Sequence, residues 1–312
     1  MRSKVKGCAC THATRFVLDC NGDLWWWASG GAASPNRYPE ELPPFTSVVA
    51  GYKRLALLDI DGNIWFRHYG SSTVMKQVKG VQEIESVALI TPGSNSPSGF
   101  AYNMIALDTS GVAYRVNTER SLVEQLVGPK FDYIDADQIC AALDCGGDLY
   151  VWSGVEQPRK LEIDMKVMDF IVEGAAVKFL DMEGKLWKFS IAEEVQQTFR
   201  LFPNAPPFKL LYGSGTHGFA LSNDDVLYGW GKNDRKQVGV DAKFVPAPVA
   251  VQCEHKWKFI SCGDGASLLI SDEGDVYEWG QPHSRDRLTT SVKITHIEKA
   301  FVGRVYAKSA RK

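Results

Sequence analysis

A ten-residue row recurs seven times along this chain, and that repetition limits the fold more than any other property. The rows are LDCNGDLWWW from Leu18, LDIDGNIWFR from Leu58, LDTSGVAYRV from Leu107 and LDCGGDLYVW from Leu143, followed by LDMEGKLWKF from Leu180, LSNDDVLYGW from Leu221 and ISDEGDVYEW from Ile270. The turn position holds Gly22, Gly62, Gly111, Gly147, Gly184, Asp225 and Gly274, at spacings of 40, 49, 36, 37, 41 and 49 residues. Self-similarity at this period marks a repeat architecture, in which each unit packs on its neighbours.

Each row has a mechanical meaning. An apolar stretch ends at the aliphatic residue, and a short turn rich in Asp, Asn and Gly follows. Glycine suits the positive backbone angle of such a hairpin turn, and Asx side chains bond the nearby backbone. Asp225 is the exception to the glycine rule. After the turn an apolar residue, an aromatic and a variable residue alternate, a strand pattern. Upstream lies another short apolar strand, as in SVVAG, DYIDA, FKLLYG and KFISCG. Downstream, YPEELPPF and FVPAPVAV suit an outer edge strand, where a missing amide donor costs little. Only IAEEVQQTFR, residues 191–200, tolerates a helix. Four short strands per roughly 42 residues predict an all-β, seven-bladed propeller. A single domain is expected over 1–312, with units at about 4–46, 47–83, 84–130, 131–165, 166–206, 207–254 and 255–296. Residues 297–312 form the closing segment. HIEKAFVGRVYAKS, from His296, resembles the start of an eighth unit, so one terminal segment is expected to be an added edge element beside the blade where the ring closes.

Composition narrows the function classes. Apolar residues make up 45% and charged residues 23%, with a formal net charge of -2. No global positive field draws the chain to nucleic acid. The few cations at the ends (Arg2, Lys4, Lys6, Lys308, Arg311 and Lys312) support only weak, salt-sensitive phosphate contacts. Seven cysteines without CxxC spacing argue for reduced thiols rather than a disulfide framework or a zinc site. No segment approaches the roughly 20 apolar residues of a membrane helix, and the N-terminus lacks a signal-peptide pattern. A soluble intracellular monomer is expected, with no membrane contact. No HExxH, Walker loop or G-x-S-x-G occurs, and the six histidines lack metal-ligand spacing. No catalytic residue, cofactor or metal is expected.

Residues 213–239, GSGTHGFALSNDDVLYGWGKNDRKQVG, carry a more specific signal. They resemble the regulator of chromosome condensation (RCC1-like) repeat, Gly-x-x-His, strand, Gly-x-Val-Tyr-x-Trp-Gly-x-Asn-x-x-Gly-Gln-Leu-Gly. His217 takes the histidine position; Trp230, Gly231, Asn233, Gln237 and Gly239 match, while Lys236 and Val238 replace Gly and Leu. Residues 262–280, CGDGASLLISDEGDVYEWG, match with Ala266 in place of His. The resemblance implies a propeller that closes where its termini meet, and a function carried by docking.

In a propeller that starts at its inner strand, the first and third turns of every unit share one face. The first turns carry Tyr52, Lys53, Arg54, Asp137, Gln138, Thr216, His217 and Asp264. The third turns carry Arg37, Arg120, Glu156, Glu193, Glu194, Asn233, Asp234, Arg235, His283, Arg285, Asp286 and Arg287. Such loops on a rigid frame are where partners dock. From these, Lys53, Arg54, Asp137, Gln138, His217, Asp264, Asn233, Asp234 and Arg235 form the expected partner-binding rim. In unit three the first turn expands to ITPGSNSPSGFAYN, residues 90–103. Family members that act on the Ran GTPase use a projecting wedge on this face, so Thr91, Pro92, Ser94, Asn95, Ser96 and Pro97 are the candidate wedge. The resemblance therefore implies a protein partner. One reading is a Ran-like small GTPase served by a guanine-nucleotide exchange factor or regulator. The other is a non-catalytic adaptor or inhibitor scaffold that uses the same face.

Overall fold

The computed structural model describes residues 5–11, 13–28, 35–38, 41–51, 53–68, 74–91, 102–191, 202–253 and 255–280, together with the strand backbones at 198–200 and 292–293. Seven four-stranded antiparallel sheets follow one another, each built from four consecutive strands. The inner strands are Val5–Cys10, Phe45–Gly51, Ile84–Leu89, Phe131–Ala136, Val167–Glu173, Phe208–Ser214 and Trp257–Gly263. Each touches the next, and the seventh touches the first, so the blades form a closed ring. Every inner strand starts with a bulge against its neighbour, for example between Phe45 and Ser47 and between Val167 and Asp169. A bulge raises local twist, as strands fanning from an axis require.

Apolar side chains from adjacent blades fill the spaces between sheets. Phe16, Leu18 and Leu24 of the first blade meet Phe45, Leu55 and Leu57 of the second. At the closure, Val5, Cys10, Val17 and Trp27 pack with Phe259, Leu268, Ile270 and Val276. Each such fully buried large side chain contributes about 1.5–3 kcal/mol relative to exposure.

The repeated turn is held by its aspartate as well as its glycine. Asp19 accepts hydrogen bonds from the amides of Asn21 and Asp23 and from the Trp25 indole, all at 2.9 Å. Asp59 does the same for Asp61, Asn63 and Trp65, and Asp181 for Glu183, Lys185 and Trp187. Asp108 uses the Tyr114 hydroxyl instead of an indole. Burial opposes the charge of Asp59, yet the bonds from Trp65 and Asn63 outweigh it and hold the carboxyl below its usual range. In the last two rows Ser222 and Ser271 stand in, each accepting one amide at 3.1 Å.

The turn glycine then joins blade to blade. The carbonyls of Gly22, Gly62, Gly111, Gly147 and Gly184 accept the first inner-strand amide of the following blade at 2.8–3.1 Å. Gly184 shows why no side chain fits: φ is +77°, and a Cβ would lie 2.4 Å from the Phe208 carbonyl oxygen. Asp225 adopts φ 64°. Its carboxylate pairs with Lys209, and with Lys256 at 3.0 Å just before the seventh inner strand. A side chain there supplies the inter-blade link.

Two sequence expectations change. Phe244–Ala250 is an outer strand, but none of the described residues of YPEELPPF belongs to one. The outer strand of the first blade is Asn36–Arg37, and Pro44 instead abuts the turn at Gly22, where a Cβ would lie 2.7 Å away. Thr198–Arg200, in the segment read as helix-tolerant, is the outer strand of the fifth blade, because it pairs with Trp187, Lys188 and Phe189. The proposed closing segment 297–312 lies outside the described residues. Among the described residues no helix is long and apolar enough to cross a membrane.

Candidate partner-docking face

The first turns of neighbouring blades are laced together. The Arg54 guanidinium donates to the Ile90 carbonyl at 2.7 Å, linking the second and third blades. The Thr91 amide donates to the Asp137 carbonyl at 2.8 Å, and the Gln138 amide to the Gly174 carbonyl at 3.2 Å. The Asp137 carboxylate accepts the Gly174 amide at 2.8 Å, and a Cβ at Gly215 would approach it to 3.1 Å. Burial pushes the Asp137 carboxyl up from its usual value, against the Gly174 and Thr91 hydrogen bonds. Four consecutive blades thus present one continuous surface. Thr91, the root of the candidate wedge, sits on it; Pro92, Ser94, Asn95, Ser96 and Pro97 lie outside the described residues, as do Tyr52, Glu193, Glu194, His283, Arg285, Asp286 and Arg287.

The signature residues of the sixth blade behave differently from the rest of the rim. His217 is fully enclosed. Its Nε2 lies 2.7 Å from Ser267 Oγ of the seventh blade, and that hydroxyl donates to the Gln237 carbonyl at 2.7 Å. With its proton committed to Gln237, Ser267 accepts from an Nε2–H. That leaves Nδ1 to accept from the Thr216 hydroxyl at 3.3 Å. Burial pushes the imidazole down to about 4, so it stays neutral at pH 7. Asn233 is equally enclosed. It donates to the Val240 carbonyl at 2.7 Å and accepts the Val238 amide at 2.8 Å, closing the long third turn of this blade. Gln237 accepts the Arg235 amide at 2.9 Å. Hence His217 and Asn233, expected on the rim, offer a partner no surface; they fasten the loop that carries it. Arg37 also moves: it pairs with Asp23 at 2.8 Å, beside the second turn and away from this face.

What the face exposes is Lys53, Gln138, Asp234 and Asp264, with Arg54, Asp137 and Arg235 half-buried. Arg235 bridges blades six and seven, since a Cβ at Gly265 would lie 2.9 Å from its guanidinium. The ring surrounds a channel of about 760 Å³ lined by all seven inner strands. Asp137 and Asp264 stand at its mouth on this face, whereas Lys6 and Lys258 belong to the start of their strands at the other end. Among the described residues no group of three or more His, Cys, Asp or Glu side chains could hold a metal ion.

Comparison with known proteins agrees with this architecture. No family model matches the chain. The guanine nucleotide exchange factor SRM1 of Saccharomyces cerevisiae is 30% identical over 184 residues, covering 46% of this chain and 38% of the yeast protein. The ultraviolet-B receptor UVR8 of Arabidopsis thaliana is 35% identical over 72 residues, covering 22% of this chain and 16% of the receptor. Among solved structures, human WBSCR16 superposes with a TM-score of 0.70 at 15% identity, over 86% of this chain and 88% of that one. Prp20p of Saccharomyces cerevisiae does so with a TM-score of 0.66 at 15% identity, over 85% and 83%. The chain is a seven-bladed β-propeller, similar in fold to both. The matched segments span less than two fifths of SRM1 and under a fifth of UVR8. Within residues 213–239, His217, Asn233 and Gln237 thus form an internal fastening, while Asp234 of the same turn is exposed.

Proposed function

We propose that the face of first and third turns docks a small GTPase of the Ran type, and that the chain acts as its guanine-nucleotide exchange factor or regulator. The observation that carries this is the match to the exchange factor SRM1 across 46% of the chain. The structure described for Prp20p was studied with binding to Gsp1p and histones, which supports a protein partner for the same fold. Exchange makes no covalent bond. The factor must favour the nucleotide-free GTPase over the loaded one, because only differential affinity shifts a population. A nucleotide held at picomolar Kd represents about 16 kcal/mol, which demands a broad, rigid docking surface. The laced turns at Arg54, Thr91, Asp137 and Gly174 supply rigidity. Lys53, Gln138, Asp234, Arg235 and Asp264 supply mixed-charge contacts.

Release of fluorescent GDP from a Ran-type GTPase is expected to speed up by about tenfold or more at micromolar protein. Lys53→Glu combined with Asp264→Lys should remove most of that gain, since rim charges chiefly set association. An unchanged release rate ends the exchange reading. Enclosure of His217 and Asn233 favours a second reading, a non-catalytic adaptor or inhibitor scaffold, because it removes two polar groups from the face. Under that reading the same face binds a protein without changing nucleotide release.

A further inference from the structure

The central channel of about 760 Å³ runs beneath the docking turns and is lined by all seven inner strands. One inner-strand residue in every blade pairs with the leucine or isoleucine that opens the repeated row. Two residues beyond it the wall reads Ala9, Val49, Ala88, Ile171, Tyr212 and Ser261, with Asp135 from the fourth blade. Small and apolar groups thus make most of the wall at this level, beside one carboxylate and one phenol. A largely apolar cavity of this size with a few placed polar groups is the usual form of a small-molecule site.

Charge is unevenly placed along the channel. Asp135 and Asp137 stand toward the docking face. The Asp137 carboxylate reaches the first turn of the sixth blade, where a Cβ at Gly215 would lie 3.1 Å from it. The Gly174 amide and the Thr91 hydroxyl hold this carboxylate, and no cation among the described residues pairs with it. Glu173 lies close by: burial pushes its carboxyl up against the pull of Lys178, and the charge of Asp137 adds to the rise. The cations that line the channel, Lys6 and Lys258, are at its other end. Lys258 precedes Ser261 by three residues, about 10 Å along a strand. Among the described residues no three His, Cys, Asp or Glu side chains converge on a site for a metal ion. The excess negative charge near Asp137 suits a larger cation.

Two hydroxyls in the channel also lack a hydrogen-bond partner among the described residues. Ser86 is 8% exposed. Tyr212 is half-buried, its phenol pushed up to about 12 by burial and by the nearby Cys8 thiol. The face of an aromatic ring attracts an ammonium, so Tyr212 and Asp137 favour the same kind of guest.

We propose that the channel binds a small organic amine, with its ammonium at Asp137 and its apolar body lying along Tyr212 and Ile171. A lysine side chain of a docked partner would bring the same ammonium, but only a short aliphatic stem in place of that body. The site is separate from the GTPase reading and stands without it.

Calorimetric titration of the full chain with tyramine, at about 0.15 M salt and with no GTPase present, tests this site alone. Saturable binding is expected, and para-ethylphenol, which lacks the ammonium, should bind about tenfold or more weakly. That comparison uses the wild-type chain and needs no variant to fold. Asp137→Asn, which keeps an acceptor for the Gly174 amide, should weaken tyramine about tenfold. Tyr212→Leu should weaken it about fivefold. Absence of saturable binding, equal affinity for para-ethylphenol, or full affinity in Asp137→Asn overturns the proposal. So does Nα-acetyl-lysine methylamide binding as tightly as tyramine with no loss in Tyr212→Leu, which would mark a socket for a partner's side chain.

Discussion

Glu278→Ala is expected to cost about 3–5 kcal/mol of stability, the usual effect of stripping one partner from a buried ion pair. Arg15 is 0% exposed, and both its Nε and Nη2 donate to one oxygen of Glu278, at 3.0 and 2.7 Å. Nη1 donates to the Thr11 carbonyl at 2.8 Å. Arg15 belongs to the second strand of the first blade and Glu278 to the third strand of the last. Their pair lies beside the Cys10 amide, which donates to Ser261 Oγ at 3.1 Å across the same seam. Removing the carboxylate takes from the buried guanidinium both hydrogen bonds that it donates to Glu278. Urea unfolding should show the loss as a lowered midpoint at nearly constant slope. Arg15→Met with Glu278→Leu should recover much of it, because apolar replacement removes both desolvation costs together. A loss below about 1 kcal/mol would place the pair among exposed ion pairs of small worth and contradict a tightly closed ring.

The second large effect is on pH. An unfolded-chain histidine titrates near 6.5, whereas the enclosed His217 titrates at about 4. The unfolded state therefore binds the extra proton first. The neutral imidazole contributes its full stability above about pH 6.5 and loses it as pH falls toward 4, by about 3 kcal/mol in all. Protonation would also put a second N–H at Nδ1, where the Thr216 hydroxyl now donates. His217→Gln lacks this titration. The wild-type-minus-variant difference in stability should therefore shrink steadily between pH 6.5 and 4. Comparing the two proteins cancels carboxyls such as Asp137 and Glu173, whose raised values act in the opposite direction. A difference independent of pH would mean that water reaches the imidazole.

The rows of the repeat made the propeller legible, because period-two alternation and a turn glycine report directly on backbone geometry. The aspartate of the same rows bonds the nearby backbone, as its residue type implies, but its second bond, to an aromatic side chain, does not follow from residue type. Asp19, Asp59, Asp108, Asp144 and Asp181 each precede the turn by a fixed interval, and in four of them the aromatic six residues later bonds to the carboxylate. That fixed spacing was the available signal. The rim was harder to read. Sequence position places His217 and Asn233 on turns of the correct face, but it does not say which way a side chain points. His217 turns inward because Ser267 lies 50 residues further along the chain and one blade away.

The central claim is that one face of the ring, built from first and third turns, receives the partner. Hydrogen exchange of the chain, with and without a nucleotide-free Ran-type GTPase, tests it most directly. Slowed exchange is predicted at residues 53–54, 137–138, 215–216, 234–235 and 264–265. Protection at the aspartate turns of the opposite face, residues 20–23, 60–63, 145–148 and 182–185, or none at either face, would contradict it.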